Sequence, residues 1–230
     1  MADKVAIVTG ASRGIGRTVA EAFIERGYRV ALVARTKAAL EELAQGSDHV
    51  LALPVDVADA AAIDQAVQAV VDKWGAIDIL FNNAGILREG TSDASLEDFD
   101  DLYRINLRAA FVFIKAVAPH MKSQRSGYVF NLASRSGKFA FPKFGAYAAS
   151  KFGMIGLNEA LFKELAPYGV KVTALCPSWV DTDMAQQGDS PLDKPDMIQT
   201  ADIMKTVDWL LELSPAAAVQ EVIIYCGKLV

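Results

Sequence analysis

The sequence predicts a doubly wound α/β fold, with one parallel sheet of about seven strands, helices on both faces, and residues 1–230 forming a single domain. Three observations predict it. Short runs rich in β-branched residues alternate with longer helical patterns along the whole chain. Most of the short runs are almost continuously apolar, as strands covered on both faces must be. No Pro/Ser-rich linker, repeat or low-complexity segment divides the 230 residues, a length that can bury a full core.

The elements follow in order. Strand patterns occupy Val5–Val8, Arg29–Val33, Val50–Leu53 and Ile77–Phe81, then Tyr128–Leu132, Val170–Leu175 and Val222–Tyr225. A first helix runs from about Ile15 to Gly27, where glycine suits the residue after a helix end. A second opens at Thr36 and closes near Gly46, and a third opens at Asp59 and ends near Gly75. Two later helices are apolar on more than one side. In Leu102–Met121 the apolar set is Leu102, Ile105, Phe111, Val112, Phe113, Ile114 and Val117. In Tyr147–Leu165 it is Tyr147, Phe152, Met154, Ile155, Leu157, Leu161 and Phe162. A helix covering a sheet needs one apolar stripe, so these are either deeply buried or have a second partner. The reading favours a homodimer or homotetramer built on them.

Composition excludes several classes. At 52% hydrophobic and 22% charged the chain is not disordered. With 23 Lys+Arg against 28 Asp+Glu, a net charge of −5, it lacks the basic footprint of a general nucleic-acid binder. No stretch between charged residues exceeds nine, whereas a membrane-spanning helix needs roughly twenty apolar residues. The opening MADKVAIVTG enters a strand directly, without the layout of a signal peptide. Cys176 and Cys226 make neither a disulfide framework nor a metal site, and His49 and His120 are expected at the surface. A soluble cytoplasmic protein is expected.

The first strand runs into Thr9-Gly10-Ala11-Ser12-Arg13-Gly14-Ile15-Gly16, which opens the first helix. Glycines let a backbone approach a pyrophosphate closely, and the helix N-terminus offers unpaired N–H groups to it. Any tight strand-to-helix turn may use glycines, but this one sits at the first βα junction, where dinucleotides bind in such folds. After the second strand a carboxylate would accept the ribose 2′-hydroxyl and repel a 2′-phosphate. Here Val33-Ala34-Arg35-Thr36 has none, and Arg13 adds a second cation. Two guanidiniums suit a phosphate dianion, which favours NADP(H) over NAD(H); solvated surface arginines are the competing explanation.

Chemistry is expected at four residues. Tyr147 and Lys151, at i and i+4, share a helix face, so the ammonium, helped by a positive nicotinamide ring in the oxidised complex, is expected to lower the phenol pKa. Ser134 follows a strand and brings a hydroxyl to the sheet's carboxyl end. Asn106 lies inside an otherwise apolar helix, as either a functional or an exposed residue.

In this order, with Asp56-Val57 and Asn82-Asn83-Ala84-Gly85, these motifs resemble the short-chain dehydrogenase/reductase family, in its compact branch and similar to 3-oxoacyl-carrier-protein reductases and carbonyl reductases. The resemblance covers essentially the whole chain and implies a Rossmann-type fold. It implies that Tyr147 is the general acid in reduction and base in oxidation, and that Ser134 polarises the substrate carbonyl. Lys151 would tune Tyr147 and hold the nicotinamide ribose, and Asn106 would position a water behind the lysine. Gly10, Ser12, Gly14, Ile15 and Gly16 would cradle the cofactor, with Asp56 and Val57 at the adenine, Asn83 and Ala84 at the adenosine ribose, and Gly85 where the chain passes. Pro177, Val180 and Thr182 would cover the nicotinamide, and Arg13 and Arg35 again go with NADP(H).

Two departures from the family pattern stand out. Ser178 replaces the glycine that usually follows the proline, and the substrate lid is short, about Asp183–Gln199, which leaves the pocket more open. Candidate pocket residues are Ser136, Phe139, Phe141, Phe144, Trp179 and Met184, each equally at home in a core or interface. The expected activity is NADP(H)-dependent hydride transfer with a small-molecule or acyl-thioester carbonyl, mainly ketone reduction. A catalytically silent NADP(H) sensor that binds a partner is the alternative.

Overall fold

The computed structural model describes residues 4–230. Seven strands, β1 (Val5–Thr9), β2 (Arg29–Ala34), β3 (Val50–Pro54), β4 (Ile79–Asn82), β5 (Gly127–Leu132), β6 (Val170–Pro177) and β7 (Glu221–Ile224), form one sheet in the order β3-β2-β1-β4-β5-β6-β7. Every adjacent pair is parallel. The doubly wound parallel sheet is therefore as the sequence predicts.

Strand alternation divides the core in two. Ala6, Val8, Val30, Leu32, Ile79 and Phe81 face one side, where α1 (Gly14–Glu25), α2 (Lys37–Ala44) and α8 (Thr200–Glu212) bring Phe23, Leu40 and Val207. Val5, Ile7, Ala31, Val33 and Leu80 face the other, against α3 (Ala60–Trp74), α5 (Ala109–Gln124) and α6 (Gly145–Leu165). Period-two burial on both faces explains why the strands read as continuous apolar runs. The helix ends have local causes: Asp59 caps α3 by accepting from Ala61 N at 2.9 Å and Ala62 N at 3.2 Å, and Gly75 closes it at φ 75°. α2 ends one residue before expected, because Gln45 itself takes the left-handed turn at φ 47°.

The predicted helix Leu102–Met121 is longer and broken. A helical run begins with α4 (Leu96–Tyr103), capped by Ser95 Oγ accepting from Asp98 N at 3.0 Å, passes through a π turn at Arg104–Arg108, and continues as α5. An inserted residue of this kind re-aims side chains, and π turns gather at functional sites. Here it turns Asn106 into the protein, where it is 2% exposed; the exposed alternative does not hold.

The sheet order reverses direction at β1 and β4. Ligands of open α/β sheets bind beyond the carboxyl ends of the strands at such a point.

Candidate active site

The carboxyl ends of β1, β4, β5 and β6 and the start of α6 enclose a cavity of about 500 Å³. Beneath it the chain turns are fixed by Thr9, whose Oγ1 accepts from Asn83 N at 2.9 Å and Ala84 N at 3.0 Å. Asn83 Nδ2 donates back to Thr9 O at 2.8 Å, locking the end of β1 to the end of β4. The glycine loop is held to backbone by this lock. A Cβ at Gly16 would lie 2.3 Å from Gly10 O and 2.4 Å from Asn83 Nδ2, so no larger residue fits without moving main chain. Gly14, at φ +54°, lies under Thr182, whose Cγ2 would be 3.2 Å from an added Cβ. The loop thus forms a bare backbone cradle that side chains would fill, as a pyrophosphate site needs.

Four predicted residues come together at the other end. α6 carries Tyr147 and Lys151 on one face, both buried, with the ammonium 5.7 Å from the phenol ring centre. Lys151 Nζ donates to Leu132 O at 2.9 Å. Ser134, just past β5, hydrogen-bonds Tyr147 with its side chain and accepts from Ser136 N at 3.0 Å. Asn106 Oδ1 accepts from Ile86 N at 2.8 Å, while Nδ2 donates to Ile86 O at 3.0 Å and to Ser150 Oγ at 3.1 Å. Gly85 is bare because its missing Cβ would sit 3.2 Å from Asn106 Oδ1 and 3.8 Å from Lys151 Nζ.

The electrostatics of the chain alone differ from those expected with an oxidised nicotinamide bound. Burial pushes the Tyr147 phenol up to about 12, with the Ser134 hydrogen bond pulling the other way, and lowers Lys151 to about 8. Desolvation of both charged forms outweighs their neighbourhood, so in the chain alone the lysine does not make the phenol acidic. Tyr147 holds its proton at neutral pH.

Other predicted residues are spread along the cavity and its approach. Ile15, Asn83, Gly85, Pro177, Val180 and Thr182 line it, as do Ser136, Phe141, Phe144, Trp179 and Met184. Phe139 does not: it is 56% exposed on the connection from β5 to α6 and outside the lining, to which that connection's aromatics contribute Phe141 and Phe144 instead. Arg13, Arg35 and Asp56 are exposed; Asp56 Oδ1 accepts from Ala58 N at 2.9 Å, and Arg13 reaches Asp183 of the lid at 3.5 Å.

The segment expected as a short lid packs against the cavity. α7 (Asp183–Gln187) leads to Gly188, whose Cβ would meet Leu87 at 2.7 Å and Trp179 at 3.0 Å, so the lid backbone sits directly on the cavity wall. Ile198 then pairs with Val180 as a parallel bridge. Ser178, in place of the usual glycine, donates its N–H to Ile224 O at 2.8 Å, which stitches that turn to β7.

Sequence reasoning missed Leu87, Glu89, Arg135, Lys143, Asp189 and Leu229, which also line the cavity. It also missed an amide ladder through the core: Asn82 Nδ2 to Asn131 Oδ1, Asn131 Nδ2 to Asn158 Oδ1, and Asn158 Nδ2 to Gln220 O, each 3.0 Å. Asparagines inside apolar strand and helix patterns were the available signal. No helix among the described residues is long and apolar enough to cross a membrane.

With fold and site in view, the class is that of a doubly wound oxidoreductase, and comparison with known proteins gives its family. The family model described as short chain dehydrogenase matches residues 4–192. The chain belongs to that family. It is 38% identical over 205 residues to a 2-(R)-hydroxypropyl-CoM dehydrogenase of Xanthobacter autotrophicus, covering 84% of this chain and 80% of that one. Among solved structures it resembles a 3-ketoacyl-(acyl-carrier-protein) reductase from Brucella melitensis complexed with NADH, with TM-score 0.89, 28% identity and coverage of 99% and 98%. It also resembles an alcohol dehydrogenase from Thermococcus sibiricus complexed with 5-hydroxy-NADP, with TM-score 0.88, 28% identity and 97% coverage of both chains.

Proposed function

We infer that the protein is an NADP(H)-dependent carbonyl reductase, and the observation that carries this reading is the buried Ser134–Tyr147–Lys151 cluster opening on a cavity beside a bare glycine cradle. Solved neighbours carry NADH in one case and an NADP derivative in another. The glycine loop, Gly85, Val180 and Thr182 would hold the dinucleotide, and Arg13 and Arg35 would hold a 2′-phosphate. When bound, the nicotinamide supplies the hydride.

The chain's own residues do the rest. Tyr147, neutral at physiological pH with its pKa near 12, is suited to donate a proton to a carbonyl oxygen as negative charge develops there. Ser134 offers a second hydrogen bond to the same oxygen, so the pair acts as an oxyanion site. Lys151, with its pKa near 8, can pass a proton back to the phenolate and carries its charge near it once formed. Asn106 spends both side-chain N–H groups on Ile86 and Ser150, so any water it places is held through the main chain of the π turn. Protonated Tyr147 is the form that the reductive direction requires.

A homodimer or homotetramer is part of this reading. Phe111 and Phe152 remain 48% and 46% exposed beside a shallow groove lined by Tyr103, Leu107 and Leu157, a surface that a second copy would cover. Cys176 and Cys226 are free and buried, in keeping with a cytoplasmic location. The test is NADPH oxidation across ketones, aldehydes, quinones and acyl thioesters, with Tyr147→Phe as control. Turnover that survives in Tyr147→Phe, or no turnover on any carbonyl, overturns the reading.

A further inference from the structure

Besides the buried Lys151 of the site already described, four charged residues line the cavity, and one differs in kind. Glu89, Lys143 and Asp189 are exposed. Glu89 and Lys143 are also neighbours of opposite sign at the rim, brought together where Gly90 donates its N–H to Lys143 O. Water and salt screen such charges. Arg135 is half-buried and stands in the 3₁₀ turn Arg135–Gly137 immediately after Ser134. Its guanidinium carbon lies 4.7 Å from the Phe141 ring centre and 5.5 Å from that of Tyr225, which follows β7. Among the described residues those rings are its only side-chain partners, and no carboxylate pairs with it.

An arginine on two aromatic faces keeps its in-plane N–H donors available while losing its freedom to move. The cavity around it is mostly apolar, with Leu87, Leu132, Phe144, Trp179 and Leu229 on its walls. An unpaired cation in such surroundings is stabilised by an anion, and its planar fork matches a carboxylate in bidentate fashion. A neutral ketone would leave it without a partner.

We propose that Arg135 anchors a carboxylate of the substrate, so that the preferred carbonyl compounds are keto acids whose anionic group lies a few bonds from the reacting carbon. This rests on the carbonyl-reductase reading and deepens it. Sequence adjacency ties the anchor to the reacting centre: Ser134 would meet the carbonyl and the next side chain the carboxylate. Arg135 acts here as a specificity residue and takes no part in proton or hydride transfer.

The test uses methyl ketones bearing a terminal carboxylate one, two or three methylenes from the carbonyl, each beside its methyl ester, assayed with NADPH and with NADH. The wild type should favour acid over ester at one or more lengths, chiefly through KM. Arg135→Met should lower the acid-to-ester ratio of kcat/KM by about 10- to 100-fold, the value of a lost charge-assisted hydrogen bond, and Arg135→Lys should restore part of it. Should the variants not fold, rising ionic strength must still depress wild-type turnover of the acid more than that of the ester. Equal handling of acids and esters by the wild type at every length overturns the anchor and leaves the reductase standing. So does an Arg135→Met loss that is the same for both, which would make Arg135 a clamp between Phe141 and Tyr225. Failure to reduce any ketone with either cofactor overturns both.

Discussion

The two ends of the site are built on opposite principles. At the cradle end the polar side chains assigned to a ligand, Arg13, Arg35 and Asp56, stand in solvent, and the fixed part is backbone: Gly10, Gly14 and Gly16 locked by Thr9 and Asn83. At the other end Asn106, Tyr147 and Lys151 are buried. A charge in water interacts weakly with its neighbours, whereas one removed from water has its protonation set by its surroundings. The exposed end can therefore change its ligand preference with little effect on the fold. The buried end cannot be altered without changing chemistry, stability or both.

The largest effect should follow the loss of the proposed proton donor. Tyr147→Phe keeps the ring and removes the hydroxyl that meets Ser134, so kcat should fall by about 10²–10⁴ while cofactor affinity, followed by quenching of protein fluorescence, stays near wild type. A variant with wild-type kcat would move the donor elsewhere. Asn106→Ala should come next. It strands the partly buried Ile86 N–H and C=O, each otherwise satisfied by the asparagine. A cost of about 2–4 kcal/mol and a Tm lowered by roughly 5–10 °C are expected, with kcat lowered as Gly85 and Lys151 shift. An unchanged melting curve would mean that the brace is not structural.

These contrasts also explain what could be read from the sequence. Strand alternation and caps depend on near neighbours, so β1, β2, β3 and the ends of α3 fall close to their predicted positions. β4 starts two residues late because Ile77 gives its N–H to the Gln124 side chain, a partner 47 residues away. The start of α4 was legible in Ser95 and Asp98 but was masked by the polar sequence that follows, Glu97 to Asp101. The π turn left no mark in apolar spacing, since one inserted residue alters which way a side chain points and not which residues are apolar. Family membership was legible as motif order. The site's electrostatics were not, because burial, which sets the Tyr147 and Lys151 pKa values, is a property of the assembled cavity. The place of Arg135 between Phe141 and Tyr225 joins segments 90 residues apart and has no local signature.

The buried lysine allows the comparison to be tested on stability alone. Lys151 is held below its usual pKa by burial, at about 8, so the folded protein carries the cost of its charge at neutral pH. Lys151→Met should abolish turnover yet stabilise the cofactor-free protein by about 2 kcal/mol, or roughly 4–8 °C in Tm at pH 7. The sign fixes the pH dependence: with the folded pKa depressed, the penalty is full below pH 8 and fades toward the unfolded value of 10.5. The gain in Tm should therefore shrink between pH 8 and pH 10. A loss of stability at pH 7 would show that the bond from Lys151 to Leu132 O outweighs the desolvation.

The smallest effect is expected at the exposed end. Arg35 lies past β2 in solvent, and its replacement disturbs no hydrogen bond of the fold. Arg35→Asp should leave Tm within about 1 °C, because surface substitutions away from packed features rarely matter to folding. It replaces an attraction for a 2′-phosphate with a repulsion and supplies an acceptor for a ribose hydroxyl, so the ratio of kcat/KM for NADPH over NADH should fall about tenfold or more. Most of the change should lie in KM for the dinucleotide, since Tyr147 and Ser134 are untouched. Arg13 alone would then bear the phosphate while paired at 3.5 Å with Asp183, so adding Asp183→Asn to Arg35→Asp should recover part of the NADPH preference. An unchanged cofactor ratio in Arg35→Asp would remove this arginine from the phosphate site and leave NADP(H) preference resting on the glycine loop.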